Sequence, residues 1–287
     1  MKVLVIGANG QLGADLCKAL EGFEVIGLTH QEVEVCNFKL TKEVLTNLKP
    51  DVIINTAAYL KVDECESNEE KAYLVNAIGS RNVAVISEEL GAKLIYISTD
   101  YVFGEQVKVG LPLKEFDSPA PLNVYGRSKL AGESFVKHLC HKYFIVRTSA
   151  LFGMRGASGK GGNFVETVIR LASEERELKV VDDQVFSPTY TKDLARKISE
   201  LLPTGYYGVF HITNRGACSW HDFAKEVVKL AGFKTSVIPV SSREHPQKAR
   251  RPSYSVLDNY HLRLLGMDDM RPWQEALQDY MKEKGYI

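Results

Sequence analysis

The tightest constraint on this chain lies in residues 2–13. An apolar run, Lys2-Val3-Leu4-Val5-Ile6, meets a turn carrying three glycines, Gly7-Ala8-Asn9-Gly10-Gln11-Leu12-Gly13, and a helical pattern begins at once. A strand handing over directly to a helix is the opening of a crossover unit in a parallel sheet. In such a turn the first glycine permits a positive φ. The second lets backbone N–H groups approach a pyrophosphate, and the third allows close packing of helix on strand. The helix N-terminus then faces the anion. The spacing is G-x-x-G-x-x-G rather than G-x-G-x-x-G, so alone it is equally compatible with a structural turn. Its place in the first strand–helix unit favours a dinucleotide cofactor held by Gly7, Asn9, Gly10, Gln11, Leu12 and Gly13.

The pattern continues in the same rhythm. Strands are predicted over 23–28, 51–55, 93–98 and 143–147, and helices over 11–20, 40–48, 69–91 and 123–138. This alternation predicts an α/β fold, a Rossmann-like doubly wound parallel sheet covered on both faces. After residue 150 the rhythm changes. The stretch 153–162 holds five glycines together with Arg155, Ser158 and Lys160 and reads as a mobile loop. Helices follow over 163–173, 191–202, 219–230 and 273–284, with strands over 178–181 and 207–212. We expect a dinucleotide-binding domain in 1–150, joined by returning segments at about 185–213, and a smaller C-terminal substrate-binding lobe from 151–184 and 214–287.

Charge narrows the function. The 36 basic and 36 acidic residues cancel, which argues against a nucleic-acid surface or a polybasic membrane patch. Cys17, Cys36, Cys65, Cys140 and Cys218 are scattered and form no C-x-x-C, so neither a zinc site nor a disulfide framework is expected, and no metal is called for. Met1-Lys2 leads straight into a strand without the features of a signal peptide. No apolar run approaches the ~20 residues of a membrane span. A cytoplasmic protein with reduced thiols is expected.

The chemistry-bearing residues sit at the carboxyl ends of predicted strands, where α/β proteins bind ligands. Lys93 to Ser98 ends in Ser98-Thr99-Asp100, which would also serve as a loop or helix cap. Tyr125 and Lys129 stand four residues apart and so share one helix face. A neighbouring ammonium favours phenolate and would lower the tyrosine from its usual ~10, giving a proton donor usable near neutrality. The second strand ends Leu28-Thr29-His30, with no carboxylate for a ribose 2′-OH. Thr29 and His30 are therefore candidates to accept a 2′-phosphate, which tilts the cofactor toward NADPH over NADH; they would serve equally as plain loop residues.

With these segments in hand, the sequence resembles the extended short-chain dehydrogenase/reductase family, and within it the dTDP-4-dehydrorhamnose reductases. The resemblance is carried by GANGQLG at 7–13, PDVIINTAAY at 50–59, STDYVF at 98–103, PLNVYGRSKLAGE at 121–133, VVDDQ at 180–184, SPTYTKDLA at 187–195 and RRPSYSVLD at 250–258. It implies that Thr99, Tyr125 and Lys129 form the catalytic group of a reductase acting on the C4 ketone of a nucleotide sugar. Tyr125 would give the proton, Thr99 would bind the carbonyl oxygen, and Lys129 would hold the nicotinamide ribose. It further implies that Asp100 and Tyr101 contact the sugar nucleotide and that Ala57, Ala58 and Tyr59 line the cofactor groove. Asn76 would support the site and Asn37 would lie near the adenosine half. Arg251 would meet the diphosphate, with an interlobe salt bridge as its equal alternative. A homodimer is the implied assembly.

Three departures fall on the sugar side. Relatives usually read Arg-Thr-Ser-Trp where this chain has Arg147-Thr148-Ser149-Ala150; the turn after Gly153 is longer, and Phe186 stands at a usual glycine. Ala150 is therefore expected to leave a wider or differently filled sugar pocket. A reductase or epimerase-type enzyme for another nucleotide-linked keto sugar is the enzyme alternative. The non-enzyme alternative is a cofactor-binding subunit similar to the regulatory subunit of methionine adenosyltransferase.

Overall fold

The computed structural model describes residues 1–104, 110–156 and 162–287. Its frame is one parallel sheet built from β1 (Lys2–Ile6), β2 (Glu24–Leu28), β3 (Val52–Asn55), β4 (Lys93–Thr99), β5 (Tyr143–Thr148) and β10 (Gly208–His211), in the order β10-β5-β4-β3-β1-β2. Each strand alternates between two cores. Val3 and Val5 face one side with Val52, Ile54 and Phe144, while Leu4 and Ile6 face the other with Ile53, Leu94 and Tyr96. A sheet apolar on both faces must be covered on both faces. Helices α1 (Gln11–Ala19) and α8 (Thr191–Leu201) cover the first, and α2 (Phe38–Leu48), α5 (Ser80–Leu90) and α6 (Val124–Leu139) the second.

Chain order reverses between β1 and β3, because β2 lies on the far side of β1. At such a switch point the two crossovers leave in opposite directions and open a crevice above the strand ends. The segment predicted as one long helix over 69–91 is α4 (Glu69–Tyr73), a wide π-type turn Leu74–Gly79, and α5, closed by Gly91 at φ 67°. A short helix α3 (Val62–Ser67), not foreseen from periodicity, precedes it.

A second apolar core gathers Phe152, Val165, Phe186, Tyr190, Phe223, Trp273 and Tyr280. It is framed by α7 (Phe164–Glu174), α9 (Trp220–Leu230) and α11 (Trp273–Glu283), with α10 (Tyr260–Leu264) beside β10. Short strands complete it: β6 (Leu151–Phe152) with β9 (Thr189–Tyr190), β7 (Glu177–Val181) with β12 (Ser236–Val240), and β8 (Val185–Phe186) with β11 (Cys218–Ser219). Residues 157–161 of the glycine-rich stretch lie outside the described residues. No helix among the described residues is long and apolar enough to cross a membrane.

Candidate active site

A cleft of about 1120 Å³ opens above the carboxyl ends of β1, β3, β4 and β5 and runs between the two cores. It exceeds the ~300–1000 Å³ usual for a single small-molecule site. At one end stands the glycine turn. Gly7 has φ 82°, and its N–H donates to the Leu28 carbonyl at 2.8 Å. A Cβ on Gly13 would collide with the Gly7 carbonyl, so the helix approaches the strand as closely as backbone permits. Helix α1 begins with no side chain capping its first N–H groups, and the buried Gln11 Oε1 has no partner. These free donors and the orphaned acceptor are the features a dinucleotide pyrophosphate and its attached groups would satisfy.

Asn9, Gly10, Gln11, Leu12, Ala57, Ala58 and Tyr59 line the cleft as expected from the sequence, and so does His30. Thr29, Asn37 and Asn76 do not. The Thr29 N–H and hydroxyl both donate to Glu32 Oε2, at 2.6 and 2.8 Å, and those bonds hold the Glu32 carboxyl below its usual range. The carboxylate expected to be missing from the end of β2 is thus supplied by a residue that folds back onto Thr29. His30, largely exposed, pairs with Glu34 at 3.1 Å. Asn37 caps α2, its side chain accepting from Leu40 N at 3.1 Å. Asn76 is fully buried in the π-type turn; its amide accepts from Tyr59 N (2.8 Å) and donates to Tyr59 O (3.1 Å) and Ser128 Oγ (2.9 Å). It fastens the Tyr59 loop to α6 rather than facing a ligand.

At the middle of the cleft, Thr99, Tyr125 and Lys129 come together. The Asn123 side chain caps α6 by accepting from Gly126 N at 2.8 Å, which fixes the first turn bearing Tyr125. The Thr99 hydroxyl pulls the pKa of Tyr125 down, but burial pushes it up by more. The expected depression of Tyr125 by Lys129 is therefore corrected: burial raises the phenol. The ammonium is engaged elsewhere. Lys129 Nζ donates to the Ile97 carbonyl at 2.7 Å and sits 4.1 Å over the Tyr96 ring. Burial pulls Lys129 down to about 7, against the opposing pull of Glu133.

Asp100 lines the cleft, yet its carboxylate is taken by hydroxyls: Ser255 at 2.6 Å, Ser149 at 2.8 Å and Thr99 at 3.1 Å. Burial pushes it up to about 6 while those bonds pull it down. Tyr101 and Tyr125 meet edge-on at 6.1 Å. Arg251 reaches the cleft, donates to the Tyr101 hydroxyl at 3.4 Å and pairs with Asp63 of α3 at 2.8 Å. The salt-bridge alternative for Arg251 is thus present. Ala150 also lines the cleft and holds a left-handed backbone at φ 42°. Phe186, which the sequence reading places on the sugar side, lines the cleft, and so does Trp220, which that reading does not assign to the site. Trp220 sits in no motif with chemical meaning; only the fold brings it there.

The chain matches the RmlD substrate binding domain model over residues 1–285. It belongs to that family. The spore coat polysaccharide biosynthesis protein SpsK of Bacillus subtilis (strain 168) is 40% identical over 285 residues, covering 99% of this chain and 98% of that protein. The dTDP-4-dehydrorhamnose reductase of Mycolicibacterium smegmatis is 38% identical, covering 97% and 84%. Among solved structures, a dTDP-4-dehydrorhamnose reductase from Clostridium acetobutylicum superposes with a TM-score of 0.94 at 44% identity, covering 99% of this chain and 100% of that one. The Bacillus anthracis dTDP-4-dehydrorhamnose reductase in complex with NADP gives 0.93 at 45% identity, covering 98% and 99%.

Proposed function

We propose that this protein is an NADPH-dependent reductase of the C4 ketone of a nucleotide-linked 6-deoxyhexose, converting dTDP-4-dehydro-L-rhamnose to dTDP-L-rhamnose for surface polysaccharide synthesis in the cytoplasm. The observation that carries the reading is the meeting of Thr99, Tyr125 and Lys129 in one cleft with the glycine turn. Family membership and the reductase relatives support it, and the NADP-bound relative supports the cofactor.

The residues fit a nicotinamide dinucleotide. The Gly7–Gly13 turn would take the pyrophosphate and the Ala57–Tyr59 loop would wall the groove. Lys129 would turn from Ile97 to the nicotinamide ribose. When bound, the cofactor supplies the hydride that reaches C4. Tyr125 then gives its phenolic proton to the C4 oxygen. Burial keeps the phenol protonated in the free protein, and a charged Lys129 at the nicotinamide ribose would bring its acidity back toward the working range. Thr99, which lines the cleft with Tyr125, shares the charge developing on that oxygen. Lys129 in its charged form offsets the phenolate left behind. Arg251 would turn its outer N–H groups from Tyr101 and Asp63 to the diphosphate.

Turnover of dTDP-4-dehydro-L-rhamnose with NADPH by the purified protein is the direct test. Replacing Tyr125 with Phe should lower kcat by at least ~100-fold, the usual worth of a general acid, while NADPH binding is kept. A variant as fast as the parent would refute the assignment of the donor. Turnover of other keto sugar nucleotides alone would redirect the substrate.

A further inference from the structure

The cleft has an aromatic wall that the reduction chemistry does not use. Trp220 opens α9, and its ring lies 4.0 Å (centroid to centroid) from Phe186 and 4.6 Å from Phe164. All three line the cleft. Phe186 is buried, so it serves as backing, whereas Trp220 remains partly exposed. Among the described residues, the indole N–H meets no acceptor. Buried tryptophans usually satisfy that donor, so a ring half in a cleft with a free N–H is set for a ligand that is apolar on one side and hydroxylated on the other.

The wall is tied to the catalytic strand. Phe186 belongs to β8, whose Val185 carbonyl accepts from Ser255 N at 2.8 Å, and the Ser255 hydroxyl donates to Asp100 at 2.6 Å. One bridging residue therefore links the aromatic wall to the residue next to Thr99. Ala150 lines the same cleft with a single methyl.

Resting on the reductase reading above, we propose that Trp220, backed by Phe186, is the specificity-determining surface for the hexose: its ring takes the C6 methyl of a 6-deoxy sugar and its N–H a ring hydroxyl. A 6-hydroxymethyl sugar would press a hydroxyl against the indole and Phe186 with no partner. The expected selectivity is modest, because an apolar pocket rejects an added hydroxyl by only about 100-fold or less.

Two measurements test this. The chain has two tryptophans, Trp220 and the buried Trp273, so intrinsic fluorescence reports largely on Trp220. Titration with dTDP-L-rhamnose should quench it and dTDP alone should not; equal quenching by both would put the base, not the hexose, on the wall and overturn the proposal. Second, kcat/KM is compared for dTDP-linked 4-keto sugars with and without the C6 hydroxyl. Trp220→Leu keeps apolar bulk in case Trp220→Ala fails to fold. Either variant should bind NADPH normally and lose most of the parent's preference, chiefly through KM. A folded variant with an unchanged preference ratio defeats the wall while leaving the reductase intact. A parent that turns over neither sugar defeats the reductase reading itself, and this proposal with it.

Discussion

At the scale of single residues, Lys129 carries a cost in the free protein. Its folded pKa, about 7, lies below the ordinary 10.5, so the native state binds fewer protons than the unfolded one between those values. The penalty is whole below pH 7 and fades as pH rises toward 10.5. Lys129→Met should therefore melt higher than the parent at pH 6, with the gap closing by pH 10; calorimetry across that range checks it, and a gap independent of pH would contradict it. Glu32 is the second case. Its carboxylate holds both donors of Thr29 where a 2′-phosphate would approach. Two unit charges 4 Å apart in water repel by ~1 kcal/mol, about five-fold in binding. Glu32→Gln should improve NADPH affinity by about that factor while leaving NADH nearly unchanged, as paired titrations would reveal.

Elements explain why Tyr125 and Lys129 can act at all. Helix α6 comes unusually close to its neighbours at two glycines. A Cβ on Gly126 would collide with the Tyr101 carbonyl, and one on Gly132 with the Asn76 carbonyl and the Tyr96 hydroxyl. Helix α6 is thus seated on the turn after Thr99 and on the π-type turn bearing Asn76. Gly126→Ala should cost ~1–3 kcal/mol of stability, as overpacking does, and should lower kcat more than it weakens NADPH binding, because it lifts Tyr125 and not the glycine turn. Urea denaturation with steady-state kinetics tests both halves. Much of this element-level design is legible in the sequence: i, i+4 spacing predicts the shared face of Tyr125 and Lys129, and the run from Lys93 predicts the strand delivering Thr99. The direction of the Lys129 ammonium is not legible, because it depends on the Ile97 carbonyl and the Tyr96 ring of another element. Asn37 misleads for a local reason, since an asparagine before a helix caps it. Glu32 is overlooked because the acid comes after the strand end and folds back. Trp220 escapes because an apolar aromatic at a helix position reads as core until the cleft beside it is seen.

For the whole molecule the decisive contact is one carboxylate. Asp100 follows β4, Ser149 follows β5, and Ser255 comes from the segment that bridges to β8 of the second core. Three hydroxyls converging on Asp100 hold the catalytic strand, its neighbour and the substrate side in one arrangement. The cost is burial of the charge, which raises Asp100 from 3.8 to about 6. The folded state therefore binds more protons than the unfolded state across that window. The contribution of Asp100 to stability is greatest below pH 3.8 and falls as pH rises to 6, by on the order of 3 kcal/mol. Asp100→Asn cannot titrate, so relative to it the parent should lose stability between pH 4 and 6 and stay parallel above 7. The same variant should weaken nucleotide-sugar binding while sparing NADPH, because the clasp joins the catalytic strand to the substrate side and does not touch the glycine turn. Equal pH profiles for parent and variant would mean that Asp100 is solvated, and that the two cores are held together by apolar packing instead.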